Sequence, residues 1–347
     1  MFDYDRSNFI SYLTGFPEQI AETLNFMKDF TSDIDISNIH NIVLAGMGGS
    51  AISGDLFLGY IHDELKIPTY VNREYSVPGF VDEHTLFIAS SYSGSTEETV
   101  AATLEAAKRS AVIIGISSGR EIENICKNKG YPHFKIPGNL PPRQALGYLF
   151  FPLIGLFEKY GFITPKGADV EETYHLMQEL VARYNPETSF GNNLANHIAQ
   201  SIYHAIPVVY AGTPYLYSVP IRWRNQFNEN AKSMAFSNVF PELNHNEIMG
   251  WEGLSEVNKH FRVILLRDPD ENRRVKQRIS ITKEILKEKK VLFGEVFAEG
   301  KSRLARLFSL IYLGDWASYY WAMLNEKDPL HINSIDILKE KLSKIDV

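Results

Sequence analysis

The 347-residue sequence contains one cysteine, Cys126. No internal disulfide is possible, and a cysteine-clustered zinc or iron–sulfur centre is excluded. Positive charge is not in surplus either: 35 Lys plus Arg stand against 42 Asp plus Glu, a net of -7. Such a balance is poorly suited to neutralising nucleic-acid phosphates or an anionic membrane, so small molecules or other proteins are the expected partners. No stretch reaches the roughly 18 uninterrupted apolar residues of a membrane span. No low-complexity segment or single-sign charge block occurs, and the opening MFDYDRSNFI has no basic stretch followed by an apolar one. With no cysteine pair to oxidise, an untargeted cytoplasmic protein is expected.

What is present is an ordinary globular composition, 44% hydrophobic and 22% charged, in a chain too long for one growing core. Two domains, or two fused copies of one unit, are expected. Ile42 to Ala45 is a short apolar run followed by a Gly-rich turn and a helix start. Thr85 to Ser90 reads as a second strand, Ser91 to Thr96 as a polar turn, and Glu97 to Lys108 as an Ala- and Glu-rich helix. Val112 to Ile116 is a third strand. Strands alternating with helices predict a parallel, helix-covered sheet.

The pattern then restarts. Pro207 to Gly212 (PVVYAG) resembles Ile42 to Gly46 (IVLAG), the Ala45-Gly46 pair recurring 166 positions later as Ala211-Gly212. RVILL at Arg262 to Leu266 parallels TLFIAS, and VLFGE at Val291 to Glu295 parallels VIIGI. A duplicated α/β unit is expected, divided as 1–150 and 151–347. The copies differ in their turns: Gly and Ser fill those of the first, TPYLYS and RDPDEN those of the second, so only the first looks equipped for an anion. Phe150 to about Tyr184 reads as helix bridging two sheets. Ser302 to Leu324 reads as an amphipathic, aromatic-rich run, and INSIDILKEKL as a last helix.

GMGGSAISG follows a strand and opens a helix, so the amides of Gly48 and Gly49, the helix end and the Ser50 hydroxyl are suited to a phosphate. It is not the dinucleotide fingerprint, because Ala51 stands three residues after Gly48, and no Gly-Lys-Ser/Thr follows. SSYSGSTEET adds Ser91, Ser93, Ser95 and Thr96, four hydroxyls in six residues. A helix N-cap uses one. Both turns belong at the carboxyl ends of parallel strands, where ligands bind, which predicts a small phosphorylated ligand. Titratable groups in irregular segments are less telling. Arg143 follows two prolines but reads equally as a solvated surface group. Glu229 lies among polar amides between apolar flanks, as a partly buried base or an ordinary helix-face glutamate. His245, in an Asn-flanked loop, suits a ligand-reaching imidazole or a plain loop histidine.

Together these segments resemble the archaeal and bacterial bifunctional phosphoglucose/phosphomannose isomerase family, built from two sugar isomerase (SIS) domains. The resemblance rests on GMGGSAISGD, on SYSGSTEET (Asn is common in the family where Ser95 stands), and on Pro141-Pro142-Arg143 with Ala145, Leu146 and Tyr148. It continues through Arg222-Trp223, Gln226, Glu229-Asn230 and Lys232, PELNHNE at Pro241 to Glu247, and Asp328-Pro329 with Leu338-Lys339. It implies two flavodoxin-like, doubly wound parallel-sheet domains with a helical C-terminal segment. The implied reaction is reversible isomerisation of glucose 6-phosphate, and of mannose 6-phosphate, with fructose 6-phosphate.

In the implied mechanism Gly48, Gly49, Ser50, Ser91, Ser93, Ser95 and Thr96 hold the phosphate, and Glu229 moves a proton between C2 and C1 through a cis-enediol. Arg143 stabilises the enediolate, while His245, helped by Lys339, opens the sugar ring. Neither metal nor nicotinamide is required. In relatives the histidine comes from the neighbouring subunit, which implies a homodimer; the aromatic run Phe308 to Trp321 would suit its interface or a monomer core. Mannose 6-phosphate requires a hydroxyl and room near C2 from the C-terminal segment, which reads LHINSID here. A noncatalytic sugar-phosphate sensor on the same domains is the alternative, disfavoured by the joint occurrence of Glu229, Arg143 and His245. A ketose-phosphate aminotransferring isomerase would need an additional amide-hydrolysing domain.

Overall fold

The computed structural model describes residues 2–187 and 190–345. After the helices α1 (Ile10–Thr14) and α2 (Phe16–Asp29), the chain winds strands β1 (Asn41–Ala45), β2 (Thr69–Asn72), β3 (Thr85–Ser91), β4 (Val112–Ser117) and β5 (His133–Lys135). They form one sheet in the order β2-β1-β3-β4-β5, every neighbouring pair parallel. Helices α3 (Gly48–Tyr60), α4 (Glu97–Lys108) and α5 (Arg120–Lys129) follow β1, β3 and β4. This is the flavodoxin-like winding order.

Helices α6 (Leu146–Lys159), α7 (Gly167–Tyr184) and α8 (Leu194–Ile202) lead to a second sheet. Its strands β6 (Ile206–Ala211), β7 (Phe236–Val239), β8 (Phe261–Arg267) and β9 (Leu292–Phe297) run parallel in the order β7-β6-β8-β9. The registers match as well: Ile42 pairs with Leu86 and Leu86 with Val112, as Val208 pairs with Val263 and Val263 with Phe293. The second sheet thus repeats the order of the first without its last strand. Helix α9 (Ser218–Asn230) follows β6, the short α10 (Ser255–Asn258) precedes β8, α11 (Arg273–Glu288) precedes β9, and α12 (Arg303–Leu324) and α13 (Asn333–Leu342) end the fold.

Side chains alternate across each strand, so each sheet has two buried faces. Ile42, Leu44, Leu86, Ile88, Ile114 and Ile116 join a large central core. Val43, Phe87, Ala89 and Ile113 pack against Ala102 and Ala106 of α4 and Ile122 and Cys126 of α5. In the second sheet Val209, Ala211, Ile264 and Leu266 face the same central core, whereas Val208, Tyr210, Val263 and Leu265 face Ile279 and Leu286 of α11. Burial on both faces is why these strands read as continuous apolar runs.

At the centre of the shared core, α12 departs from the amphipathic helix that its sequence predicts. Nearly every residue from Leu304 to Met323 is buried, because α7, α8 and α9 pack around it. The aromatic run from Phe308 to Trp321 is therefore interior to the single chain and is not free to form an interface. Its one carboxylate is paired: Asp315 accepts from Arg222 Nη2 at 2.7 Å and from Gln226 Nε2 at 2.9 Å. A buried carboxylate needs such compensation, since removal of either partner would leave an unpaired charge in the core. No helix among the described residues is long and apolar enough to cross a membrane.

Candidate active site

Helices α3 and α4 both start at the carboxyl ends of adjacent central strands. The chain leaves β1 toward one edge of the sheet and β3 toward the other, so the crevice between their turns is the topological switch point. Neither helix start has a side-chain cap. Thr96, the N-cap residue of α4, instead shares a hydrogen bond with the Ser91 hydroxyl at 2.8 Å, and Ser91 Oγ accepts from the Gly94 amide at 3.1 Å. The amides of Gly48 and Gly49 and those opening α4 thus face no capping side chain, at the positive ends of two helix dipoles. Ser50 Oγ accepts from the Tyr92 amide at 3.2 Å and ties the two turns together. Ser93 Oγ accepts from the Ser95 amide at 3.3 Å, and the Ser95 hydroxyl accepts from Arg120 Nη1 at 3.2 Å. Arg120 places beside the cradle a positive charge that the local sequence did not announce.

Two glycines set the close approaches here. Gly94 has φ +74°, and a Cβ there would lie 1.7 Å from the Gly119 carbonyl oxygen. A Cβ on Gly49 would lie 2.6 Å from the carbonyl oxygen of Pro142, so only glycine lets α3 abut the turn that carries Arg143. Tyr92 strengthens this junction, its hydroxyl accepting from the Leu140 amide at 2.9 Å.

Arg143 occupies a 3-10 turn, Pro142–Gln144, and is buried rather than solvated. Its Nε donates to Asn230 Oδ1 at 2.7 Å, and Nη2 donates to the carbonyls of Pro329 at 2.7 Å and Leu330 at 3.1 Å. Nη1 stands 3.7 Å from Glu229 Oε2. Burial draws the Arg143 pKa below its usual value and Glu229 opposes that shift, yet a guanidinium keeps its charge.

The spacing of the α9 motif becomes intelligible in three dimensions. Arg222, Gln226 and Asn230 recur at i, i+4 and i+8 and form one buried stripe toward α12. Arg222 and Gln226 meet Asp315, and Asn230 Nδ2 donates to Ser318 Oγ at 2.9 Å. Arg222 also donates to the Arg143 carbonyl at 3.1 Å, so the stripe holds Arg143 at both its main chain and its guanidinium. Glu229 falls on the neighbouring face of α9. About a third of its side chain is exposed (32%), opening into a cleft of about 700 Å³ that is also lined by Lys232, Asp328, His331, Ser334 and Ile335. Asp328 fixes the far wall: it accepts from the Ser7 amide at 3.0 Å and the Ser7 hydroxyl at 2.7 Å.

The corresponding crevice of the second sheet is filled by the chain itself. Tyr215 donates to Asp268, and Arg306 Nε lies 3.0 Å from the same carboxylate. Arg267 pairs with Glu271 at 2.8 Å. Cations already paired with acidic side chains offer nothing to an anion, which accounts for the asymmetry between the turns of the two copies.

A curated relative from Caldicellulosiruptor bescii, a bifunctional phosphoglucose/phosphomannose isomerase, is 41% identical over 329 residues, 95% of this chain and 97% of the relative. The chain belongs to the bifunctional phosphoglucose/phosphomannose isomerase family. Its member from Thermoplasma acidophilum is 38% identical over 94% of this chain and 98% of that protein. The model for the bacterial phospho-glucose isomerase C-terminal SIS domain matches residues 191–342. In fold, a hypothetical protein from Thermus thermophilus superposes with a TM-score of 0.75 at 15% identity, over 99% of this chain and 91% of that one.

In this member of the phosphoglucose/phosphomannose isomerase family, one chain brings Arg143 and Glu229 together beside the serine turns, but not His245 or Lys339. His245 is exposed in the 3-10 turn Glu242–His245 after β7 and does not line the cleft. Its loop is anchored by Glu247, which accepts from Tyr210 and, at 2.5 Å, from Asn238 Nδ2. Lys339 is exposed on α13, a helix with no buried residue, and likewise lines no part of the cleft. Asn230 and Lys232 fall inside the α9 motif, but the sequence alone attached no role to either; the surplus of amides and the lysine after Glu229 were the available signal.

Proposed function

We propose that the chain interconverts aldose and ketose hexose 6-phosphates: glucose 6-phosphate and mannose 6-phosphate with fructose 6-phosphate. The observation that carries this is the buried Arg143 facing Glu229 at 3.7 Å beside two uncapped helix starts, in a member of this family. The amides of Gly48 and Gly49 and the hydroxyls of Ser50, Ser91, Ser93, Ser95 and Thr96 anchor the phosphate. That remote binding energy orients C1 and C2 over the base. Glu229 takes the C2 proton, the C2–H electron pair forms the C1–C2 double bond and the C1 carbonyl oxygen becomes the enediolate oxygen. The C2 hydroxyl proton passes to O1 as the carbonyl forms at C2, and Glu229 returns its proton to C1. Arg143 stabilises the negative charge on the enediolate oxygen.

Ring opening falls to His245 of a second copy, with Lys339 assisting. Support comes from the exposure of His245 outside its own chain's cleft and from the exposed apolar Phe236, Met249, Leu254 and Val257 around its loop. Ser334, on the cleft wall, supplies the hydroxyl for mannose 6-phosphate. A cytoplasmic homodimer completes the proposal.

The test is a coupled assay of the purified full chain with each sugar phosphate separately and EDTA present. Turnover of both phosphates is expected to be unaffected by EDTA, and unphosphorylated glucose is expected to be a very poor substrate. Binding without turnover would replace this reading with the sugar-phosphate sensor. For the second copy, an inactive Glu229→Gln chain mixed with an inactive His245→Ala chain is expected to regain partial activity, because the heterodimer holds one site with both native residues. Absence of rescue in samples whose heterodimers are verified by mass would place both residues in one subunit's site.

A further inference from the structure

Lys232 stands two residues beyond the end of α9 with φ +56°. Its stem is exposed along the cleft, but its ammonium turns inward on to three carbonyls. These belong to Glu229 at 2.5 Å, Asn230 at 3.3 Å and Pro329 at 3.0 Å. The first two are among the terminal carbonyls of α9, which have no partner within the helix and leave its last turn free to fray. The third is the same Pro329 oxygen that accepts from Arg143 Nη2. A single carbonyl therefore receives both the lysine from one side of Glu229 and the arginine from the other.

We propose that Lys232 is a positioning residue for the isomerisation: its ammonium clamps the last turn of α9, with Glu229, to the Pro329 turn that also receives Arg143. The base and the charge-stabilising guanidinium are thereby kept in register. The inference rests on the isomerase reading and adds to it a residue that does not itself touch the reacting carbons.

The clamp needs the charged form. An ammonium has three hydrogens for three carbonyls; a neutral amine has two, and turns its lone pair toward the third oxygen. Desolvation of the inward-facing end, reinforced by Arg143 and Lys327 and opposed by Asp328 and Glu229, draws the Lys232 pKa down to about 8. Glu326 and His331 line the same cleft and complete its charged surroundings. Because this value lies below the ordinary 10.5, the unfolded chain holds the proton more tightly than the folded one. Stability from this group therefore rises between the two values as pH increases. Opening of the clamp should lower activity on the alkaline side with no loss of folding stability from Lys232.

The experiment follows kcat, KM and Tm of the wild-type chain, Lys232→Arg and Lys232→Met from about pH 6 to about pH 10. Wild-type kcat is expected to fall on an alkaline limb well below the ordinary lysine range, with no parallel fall in Tm. Lys232→Arg is expected to move that limb upward by more than about one pH unit, because arginine stays charged. Lys232→Met should lower kcat near neutrality on the order of 10²-fold, the scale of a misplaced catalytic group, with KM within a few-fold. An unshifted limb in Lys232→Arg, or wild-type kcat in folded Lys232→Met, would overturn the clamp. A wild-type chain inactive on both sugar phosphates would instead overturn the isomerase reading, and the clamp's catalytic role with it.

Discussion

A Glu229→Gln chain is expected to turn over hexose phosphate at least roughly 10²-fold more slowly while still binding it, the usual scale for loss of a general base. The amide keeps the size of the carboxylate and remains at the end of α9, whose last turn is held through main-chain carbonyls rather than through the Glu229 side chain. The serine turns are separate from it, so binding of the phosphate is preserved and the loss should lie in kcat. Exchange of solvent deuterium into the C2 position should disappear in step with turnover, since both require removal of the same proton. Near-normal exchange in this variant would pass the role of base to another group on the cleft wall, such as Asp328 or His331.

Replacing Arg143 with Met should lower kcat by about 10²- to 10³-fold, the range seen when a preorganised donor to a developing oxyanion is deleted. It should also destabilise the chain. Asn230 Oδ1 loses its buried donor, worth about 1–3 kcal/mol when left unsatisfied, whereas the Pro329 carbonyl keeps Lys232 Nζ. The two effects separate experimentally: Tm reports the structural loss, and kcat per folded molecule reports the catalytic one. Arg143→Lys retains the charge but cannot serve Asn230, Pro329 and Leu330 from one planar fork, so only partial recovery is expected. A fall in activity no larger than the fall in folded protein would remove Arg143 from the reaction and leave it a purely structural residue.

The inner strands β1, β3, β4, β6 and β8 were legible in the chain because each is buried on both faces and so written in consecutive apolar residues, as in Ile42 to Ala45, Thr85 to Ser90 and Val112 to Ile116. The edge strand β9, in which only Val296 is buried, was legible through its likeness to β4. Strands β2, β5 and β7 were not. Each lies at a sheet edge, spans four residues or fewer, and carries residues such as Asn72, Lys135 and Asn238 that give no apolar run. The departure of α12 from its expected amphipathic character has a different cause. A local pattern shows which residues are apolar, but not that α7, α8 and α9 will enclose the helix and cover the side that would otherwise meet water.

The serine turns show the same division at the level of chemistry. Four hydroxyls where one would cap a helix are a local excess, and local excess can be read from sequence; that Thr96 leaves the cap to bond Ser91 is a matter of tertiary geometry. By itself the sequence determined the parallel α/β duplication, the hydroxyl- and glycine-rich turns of the first copy and the family to which the chain belongs, because each depends on residues close together along the chain or on motifs in fixed order. Only the tertiary structure decided that Arg143 is buried against Asn230 and Glu229, and that Lys232 and Arg143 converge on Pro329. The hydrogen-bonded partners among these lie 87 to 186 residues apart in the chain. Their meeting follows from how α3, α9 and the Pro329 turn pack, which no local spacing encodes.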